Sequence, residues 1–206
     1  MTGDSMGEMG ADITGVVLAG GLSSRLGQDK ARIALAQGGA ADFLSRTVAI
    51  LATCCSRVII AGREYPEHEY CLDIIPGMGP VGGIATALAM SGGACLVLSC
   101  DLPFMETAVL ERLIAHRSRR FAGTLATMYR HKDTGQVEAL VAIYEQGALP
   151  YFQAAVRDNR LKISRAVPQS MQHFLEYQDE EALPFFNINY PADLVVARKI
   201  AEMKGS

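Results

Sequence analysis

The sequence has no apolar run approaching the roughly 20 residues that a transmembrane helix needs. It also has no excess of basic residues, because it contains 19 lysines and arginines and 22 aspartates and glutamates, and the formal net charge is -3. The first absence argues against a membrane protein, and the second argues against a nucleic-acid-binding surface. We therefore expect neither a membrane nor a nucleic acid among the partners, and an anionic ligand would need local positive charge.

Signatures of disulfide frameworks and zinc sites are missing as well. The five cysteines include no C-x-x-C pair, and no two of the four histidines have the spacing of a helical metal site. We expect buried thiols in a reducing cytoplasm. Segment 1–12 lacks the basic start and apolar stretch of a secretory signal. We expect a disordered leader over 1–12 and a single domain over 13–206, in a cytoplasmic protein.

Strand-like and helical patterns alternate over the first 120 residues. The β-branched runs 13–19, 57–62 and 94–101 predict buried strands, and a shorter strand is expected at 70–75. This alternation is typical of βαβ units and predicts an α/β fold, a single-domain three-layer α/β/α structure with a mainly parallel sheet. The intervening helices are predicted at 41–54, 81–90 and 106–117.

The pattern loosens after residue 120. Segments 121–130 and 137–145 predict two strands joined by the polar turn 131–136, and helices are expected at 147–158 and 192–203. We expect this half to extend the same sheet and to cover one side of the active site.

The loop after the first predicted strand combines glycines with positive charge. In "VVLAGGLSSRLGQDKA", Gly20 and Gly21 follow the strand, and Arg25 and Lys30 come within ten residues. Ligands of parallel sheets bind outside the carboxyl ends of the strands, and glycine lets backbone N–H groups approach an anion. Neither a P-loop nor a G-x-G-x-x-G fingerprint fits this spacing. The loop predicts a site for a nucleotide triphosphate; an ordinary glycine-rich turn with solvated charges is the alternative.

A second candidate is Asp101, at the end of the predicted strand 94–101. A carboxylate at this sheet edge is a suitable ligand for Mg²⁺, which prefers oxygen ligands and substrate phosphates, although a lone aspartate can also cap a helix. Gly79 and Gly82 flank a helix start, where N–H groups could face a base or ribose, or where the glycines could serve close packing. Asn187 and Asn189 alternate and would share a strand face, or one of them would cap the next helix.

Four segments together resemble the molybdenum cofactor guanylyltransferases, the MobA family of GT-A-like, Rossmann-like nucleotidyltransferases. They occur in the family's order and span residues 16–194. They are "LAGG-x-S-x-R-x-G-x-D-K", "PGMGPVGGIATAL", "CDLPF" and "FNINYPADL".

The resemblance implies roles for individual residues. It makes Arg25, Lys30 and Asp101 the catalytic set, with Asp101 as the Mg²⁺ ligand, and assigns Asn187 and Asn189 to the acceptor side. The nucleotide-binding residues that it implies are Leu18, Ala19, Gly20, Gly21, Ser23, Arg25, Lys30, Asp73, Gly79, Gly82 and Asp101.

Two positions depart from the family pattern. Where the family often has an asparagine after its second strand, this chain has Ala61 and Gly62. Where the family tends to have Gln-Pro-Leu before its late strand, this chain has Glu138-Ala139-Leu140. The first departure weakens the inference of guanine specificity, and the second weakens the inference about the acceptor.

The expected reaction moves GMP from GTP to molybdopterin or molybdenum cofactor, releases pyrophosphate and forms a guanine dinucleotide cofactor. Molybdoenzymes or cofactor-delivery proteins are the expected further partners. Three alternatives stay open: a related cytidylyltransferase, a sugar- or polyol-phosphate nucleotidyltransferase, and a non-catalytic cofactor-delivery protein.

The loop assignment predicts the effect of Lys30→Ala. Loss of one strong electrostatic contact to the triphosphate should weaken nucleotide binding and slow transfer by about 10²-fold or more. Binding titrations and steady-state kinetics measure both effects. If both constants stay within about a factor of two, Lys30 is a solvated charge.

Overall fold

A computed structural model describes residues 12–20, 33–34 and 41–205. In this part of the chain the helices are α1 (Phe43–Cys54), α2 (Gly79–Ser91), α3 (Thr107–Arg117), α4 (Leu149–Arg157) and α5 (Pro191–Gly205). The strands are β1 (Ile13–Leu18), β2 (Arg57–Ala61), β3 (Tyr70–Cys71), β4 (Ala94–Ser99), β5 (Ala126–His131), β6 (Val137–Tyr144) and β7 (Gln172–Tyr177).

The described strands form one seven-stranded sheet in the order β3-β2-β1-β4-β6-β5-β7. The four strands from β3 to β4 are parallel to one another. Strand β6 is antiparallel to both β4 and β5, whereas β7 is parallel to β5. Only β6 therefore runs against the common direction among these strands, and the predicted mainly parallel sheet is confirmed.

Helices cover both faces of this sheet. The inner strands accordingly have apolar residues on both faces instead of alternating apolar and polar residues. In β1, Val17 packs into a core with α1 and α3, while Val16 packs into a second core with α2 and α4. Strand β4 is buried at all six positions. Continuous burial of this kind is typical of a parallel sheet between two helical layers, and it confirms the three-layer α/β/α prediction.

Local sequence explains where several helices begin and end. The carboxylate of Asp42 accepts a hydrogen bond from the Ser45 N–H at 2.7 Å and caps α1. Helix α2 is capped at its C-terminus by Gly92, whose φ of 66° is in the left-handed region that favours glycine. Helix α5 packs Leu194 and Ala197 into a third small core, which also contains Phe104.

A buried arginine joins α3 to the start of the described chain. Arg117 donates to both carboxylate oxygens of Glu145, at 2.7 and 2.8 Å, and to Asp12 at 3.0 Å. These contacts raise the pKa of Arg117, because two carboxylates stabilise its charged form. Asp12 is thus held against the fold, and the rest of the predicted leader lies outside the described residues.

Several details differ from the sequence predictions. Strand β3 has two residues rather than six, and β4 ends at Ser99, so that Asp101 lies in the following turn. Strand β7 is an element that the sequence patterns did not predict. All five cysteines are free thiols, four of them buried. No helix in the described ranges is long and apolar enough to cross a bilayer.

Candidate active site

The four parallel strands end at the same level of the sheet. Their register pairs Cys71 with Ala61, Ala61 with Leu18, and Leu18 with Ser99. Gly20, Asp73 and Asp101 are each two residues beyond this row, on the loops after β1, β3 and β4. The parallel topology therefore gathers predicted site residues from distant parts of the sequence at one carboxyl edge, where ligands of such sheets bind.

The loops after β1 and β2 touch through glycine backbones. A Cβ atom added to Gly20 would lie 2.9 Å from the Gly62 Cα atom, and one added to Gly62 would lie 2.7 Å from the Gly20 Cα atom. Gly62 also has a φ of 93°, in the left-handed region. The residues that precede these two glycines are also joined, since the Ala19 N–H donates to the Ala61 carbonyl oxygen at 3.1 Å. Glycine at both positions thus brings the two loops together without intervening side chains.

The Asp73 carboxylate lies beside glycines of two elements. Cβ atoms added to Gly62 and Gly83 would come within 3.8 and 3.6 Å of its Oδ1 atom, and one added to Gly82 would come within 3.7 Å of its Oδ2 atom. Oδ1 is buried and has no hydrogen-bond partner within the described ranges. Burial raises the pKa of Asp73 above its ordinary value. A buried acidic oxygen with no partner and a raised pKa, at the sheet edge where ligands bind, is a candidate ligand contact.

The start of α2 also lies beside this carboxylate, and together with Gly62 it forms the recess around Asp73. Gly79 has a φ of 55°, so it makes the turn into the helix. A Cβ atom added to Gly83 would lie 3.1 Å from Leu18 Cδ2, and one added to Gly82 would lie 2.8 Å from Met78 Cβ. The packing role that the sequence allowed for Gly82 is therefore realised in the structure. A role in nucleotide binding for Gly79 and Gly82 stays a prediction.

Asp101 is held through both its side chain and its backbone. The Ser99 hydroxyl donates to Asp101 Oδ1 at 2.6 Å, and the Ile188 N–H donates to the Asp101 carbonyl oxygen at 3.0 Å. The second bond joins the loop after β4 to the segment that contains Asn187 and Asn189. The structure therefore brings these three predicted site residues into the same region.

An arginine from α1 holds the rest of the loop after β4. Arg46 Nε donates to the Pro103 carbonyl at 3.1 Å, and its Nη2 donates to the Met105 carbonyl at 2.6 Å. The neighbouring Phe104 ring meets Phe186 edge-on, with 6.0 Å between the ring centroids. The backbone that follows Asp101 is thus tied to α1 on one side and to the segment before Asn187 on the other.

The segment with the two asparagines is not a strand, which corrects the sequence interpretation. The N–H groups of Asn189 and Tyr190 both donate to the Asp193 carboxylate at 2.8 Å. Asp193 is in the first turn of α5, so its carboxylate accepts hydrogen bonds from the backbone just before that helix. Asn187 Oδ1 is buried and has no hydrogen-bond partner among the described residues. It is the second such side-chain oxygen in this region, after Asp73 Oδ1.

The oxygen donors among these predicted site residues are of a kind that suits a hard divalent cation. The carboxylate of Asp101 and the amide oxygen of Asn187 are oxygen donors, which Mg²⁺ prefers, and Mg²⁺ completes its shell with water and substrate phosphates. The described ranges contain no group of three or more His, Cys, Asp or Glu side chains suited to a metal. A cation at this edge would therefore depend on the nucleotide's phosphates as well as on the protein.

Four predicted site residues fall outside the described part of the chain. Gly21, Ser23, Arg25 and Lys30 lie outside the described residues, and their roles stay predictions. Conversely, sequence reasoning missed the contacts of Gly62, Ser99 and Arg46. The position of Gly62 directly after β2 mirrors that of Gly20 after β1 and could have indicated it. Arg46 gave no local signal, because its acceptors are 57 and 59 residues away.

Solved structures of nucleotidyltransferases share this architecture. The structure of molybdopterin-guanine dinucleotide biosynthesis protein A from Archaeoglobus fulgidus superposes with a TM-score of 0.75 at 26% identity, covering 92% of this chain and 99% of that one. A 2-C-methyl-D-erythritol 4-phosphate cytidylyltransferase from Thermus thermophilus superposes with a TM-score of 0.60 at 20% identity, covering 91% and 98%. The second likeness concerns the fold alone.

Curated relatives and a family profile agree with the resemblance seen in the sequence. A probable molybdenum cofactor guanylyltransferase from Pelotomaculum thermopropionicum is 33% identical over 92% of this chain and 93% of its own length. A molybdenum cofactor guanylyltransferase from Xanthomonas euvesicatoria is 31% identical over 86% of this chain and 90% of its own. The profile described as "MobA-like NTP transferase domain" matches residues 15–176. The chain therefore belongs to the MobA-like NTP transferase family and is a nucleotidyltransferase.

Proposed function

We propose that this chain transfers GMP from GTP to molybdopterin, with release of pyrophosphate. Relatives that cover most of its length are named for the guanylyl transfer. The observation that carries the proposal in this chain is the buried, unpartnered carboxylate oxygen of Asp73 at the edge of the sheet.

A carboxylate in this recess suits the pairing edge of guanine. An ionised carboxylate is acceptor-only, and guanine offers two adjacent donors, its ring N1–H and its 2-amino group. Cytosine and adenine each present a ring nitrogen acceptor beside their amino group, so one carboxylate oxygen would face an acceptor. The glycines at 62, 82 and 83 keep side chains away from Asp73 and leave room for a purine.

The triphosphate is expected to lie over the loop after β1. Backbone N–H groups near Gly20 and Gly21, together with Arg25 and Lys30, would offset its charge, which the acidic chain as a whole does not. Asp101 would hold Mg²⁺, which supplies charge neutralisation and alignment of phosphate oxygens when bound.

The chemistry asks little of a general base, because the attacking group is a phosphate oxygen that is already anionic. The acceptor oxygen attacks the α-phosphorus of GTP, and the bond to pyrophosphate breaks. Positioning and charge stabilisation supply most of the acceleration. Arg25 and Lys30 would stabilise the leaving pyrophosphate, and Asn187 and Asn189 would orient the acceptor.

A groove of about 850 Å³ suits the body of the acceptor. It lies between the β5–β6 hairpin and the segment 164–169, and β7 contributes to its lining. Val137, at the groove, begins β6, which is the neighbour of β4 and hence of the loop with Asp101. Arg130 lies 4.4 Å from the Phe174 ring centroid. Arg165 lines the groove and has no ion pair with any described residue, so it can meet an anionic, planar ligand.

Nucleotide preference is the direct test. With molybdopterin as acceptor and equal GTP and CTP, we expect a mainly guanine dinucleotide product, because a pocket that pairs with one base leaves polar groups unpaired with the other. Such mismatches discriminate by about 10⁴ or more. Mass spectrometry of the products measures the ratio. A mainly cytosine product would move the chain to the cytidylyltransferases, and no pyrophosphate release with any nucleotide would favour a cofactor-delivery protein.

Asp73→Asn should separate stability from binding. Burial disfavours the ionised carboxylate, so the variant should melt at a higher temperature than the parent protein without ligand at pH 7. A raised pKa means that the ionised form destabilises the fold at high pH. The gain should therefore disappear as pH falls below the ordinary value of 3.8.

The same variant should bind GTP about 10²-fold or more weakly, because the amide nitrogen would face guanine donors. Asp133→Asn, in the exposed β5–β6 turn, is the matched control and should change neither quantity. Unchanged GTP affinity in Asp73→Asn would remove Asp73 from the base site.

Arg165→Ala tests the groove. Loss of a charge-assisted contact of about 1.5–3 kcal/mol should raise the KM for molybdopterin by about tenfold or more and leave the KM for GTP unchanged. Arg157→Ala is the control, since Arg157 has the same charge, is 74% exposed and lies outside the groove lining. Equal acceptor KM values for the two variants would contradict the assignment.

A further inference from the structure

Ser99 makes a short contact with the candidate metal ligand. Its hydroxyl donates to Asp101 Oδ1 at 2.6 Å, a distance typical of a charge-assisted O–H···O⁻ bond. Ser99 is the last residue of β4 and is 8% exposed, so its backbone and side chain are held by the sheet. A hydrogen bond of this kind restrains the direction in which the carboxylate points.

The backbone around Asp101 is anchored separately. Ile188 N–H holds the Asp101 carbonyl oxygen, and Arg46 holds the carbonyls of Pro103 and Met105. None of these contacts restrains the rotation of the Asp101 side chain. The hydroxyl of Ser99 does, because it acts on Oδ1 itself.

We propose that Ser99 is a positioning residue that orients the Asp101 carboxylate toward a divalent cation in the enzyme–nucleotide complex. The proposal rests on the role of Asp101 in the proposed function. Mg²⁺ requires near-ideal octahedral geometry, so a carboxylate whose direction is set in advance binds it with less loss of side-chain entropy. A neutral hydroxyl supplies this restraint without introducing a positive charge that would compete with the cation.

A purely structural role for Ser99 makes a different prediction. Serine side chains often bond to residues two positions away at the ends of strands and in turns, and such a contact contributes to stability alone. Removing it would lower the melting temperature but leave cation binding by the folded protein unchanged. The affinity for the cation is therefore the discriminating quantity.

The experiment measures Mn²⁺ binding to the complex with GTP by electron paramagnetic resonance, with Mn²⁺ as the probe. Ser99→Ala should weaken Mn²⁺ binding by about 10- to 100-fold, the usual effect of removing a hydrogen bond to a ligating group. GTP binding in EDTA should be unchanged. Ser99→Thr retains the hydroxyl and should restore Mn²⁺ affinity to within about threefold of the parent protein, within the usual scatter of such contacts.

Two further variants secure the result. Ser99→Cys is close in size and is only a weak donor, so it should behave like Ser99→Ala and replaces it if the alanine variant does not fold. Ser91→Ala removes another partly buried hydroxyl, which donates to the Leu88 carbonyl at 3.3 Å in α2, and should bind Mn²⁺ like the parent protein. In kinetic assays, Ser99→Ala should need more Mg²⁺ for half-maximal rate, with the KM for GTP unchanged at saturating Mg²⁺.

Asp101→Ala separates the two possible failures. In one outcome, Asp101→Ala weakens Mn²⁺ binding by about 10²-fold or more, while Ser99→Ala binds Mn²⁺ at least as tightly as the parent protein. That result overturns the inference about Ser99 and leaves the proposed function standing. If Asp101→Ala itself leaves Mn²⁺ affinity unchanged, the metal role of Asp101 falls and the inference falls with it.

Discussion

The backbone contact between Gly20 and Gly62 is the constraint on which the candidate site depends. A Cβ atom on either residue would come within 3 Å of the other's Cα atom, so no other residue fits without moving a loop. This contact brings the ends of β1 and β2 together beside Asp73 of the next loop. On this side of the recess, backbone therefore packs directly on backbone.

Two of the predicted site residues carry unsatisfied oxygens. Asp73 Oδ1 and Asn187 Oδ1 are buried without hydrogen-bond partners in the described part of the chain, an arrangement that costs stability. Native proteins satisfy most buried polar atoms, and the exceptions often lie at functional sites. The burial that raises the pKa of Asp73 also excludes water from the place where a ligand would donate. The ligand-free fold is thus less stable than it would be if these oxygens had hydrogen-bond partners.

The sequence predicted the architecture better than the site. Buried strands such as β1 and β4 were predictable because parallel strands covered on both faces need uninterrupted apolar residues. Strand β7, "QHFLEY", lies at the edge of the sheet and is only partly buried, so its sequence lacks that pattern. The segment "CDLPF" predicted a role for Asp101. It could not predict that Arg46 holds the loop after β4, because the acceptors of Arg46 are far away in sequence. Similarly, the alternating asparagines suggested a strand, whereas Asp193 organises that segment as the start of α5.

The reversal of β6 decides which part of the second half borders the site. Because β6 is antiparallel to β4, its first residues, and not its last, lie at the edge that holds Asp101. Glu138 is one of them, yet its carboxylate accepts a hydrogen bond from the Tyr177 hydroxyl at 2.6 Å. Burial and this carboxylate both raise the pKa of Tyr177, so the phenol remains a donor. A glutamine oxygen could accept the same bond, which explains how the chain accommodates Glu138 where the family tends to have glutamine. The departure at Glu138 is thus accommodated within the sheet, between β6 and β7.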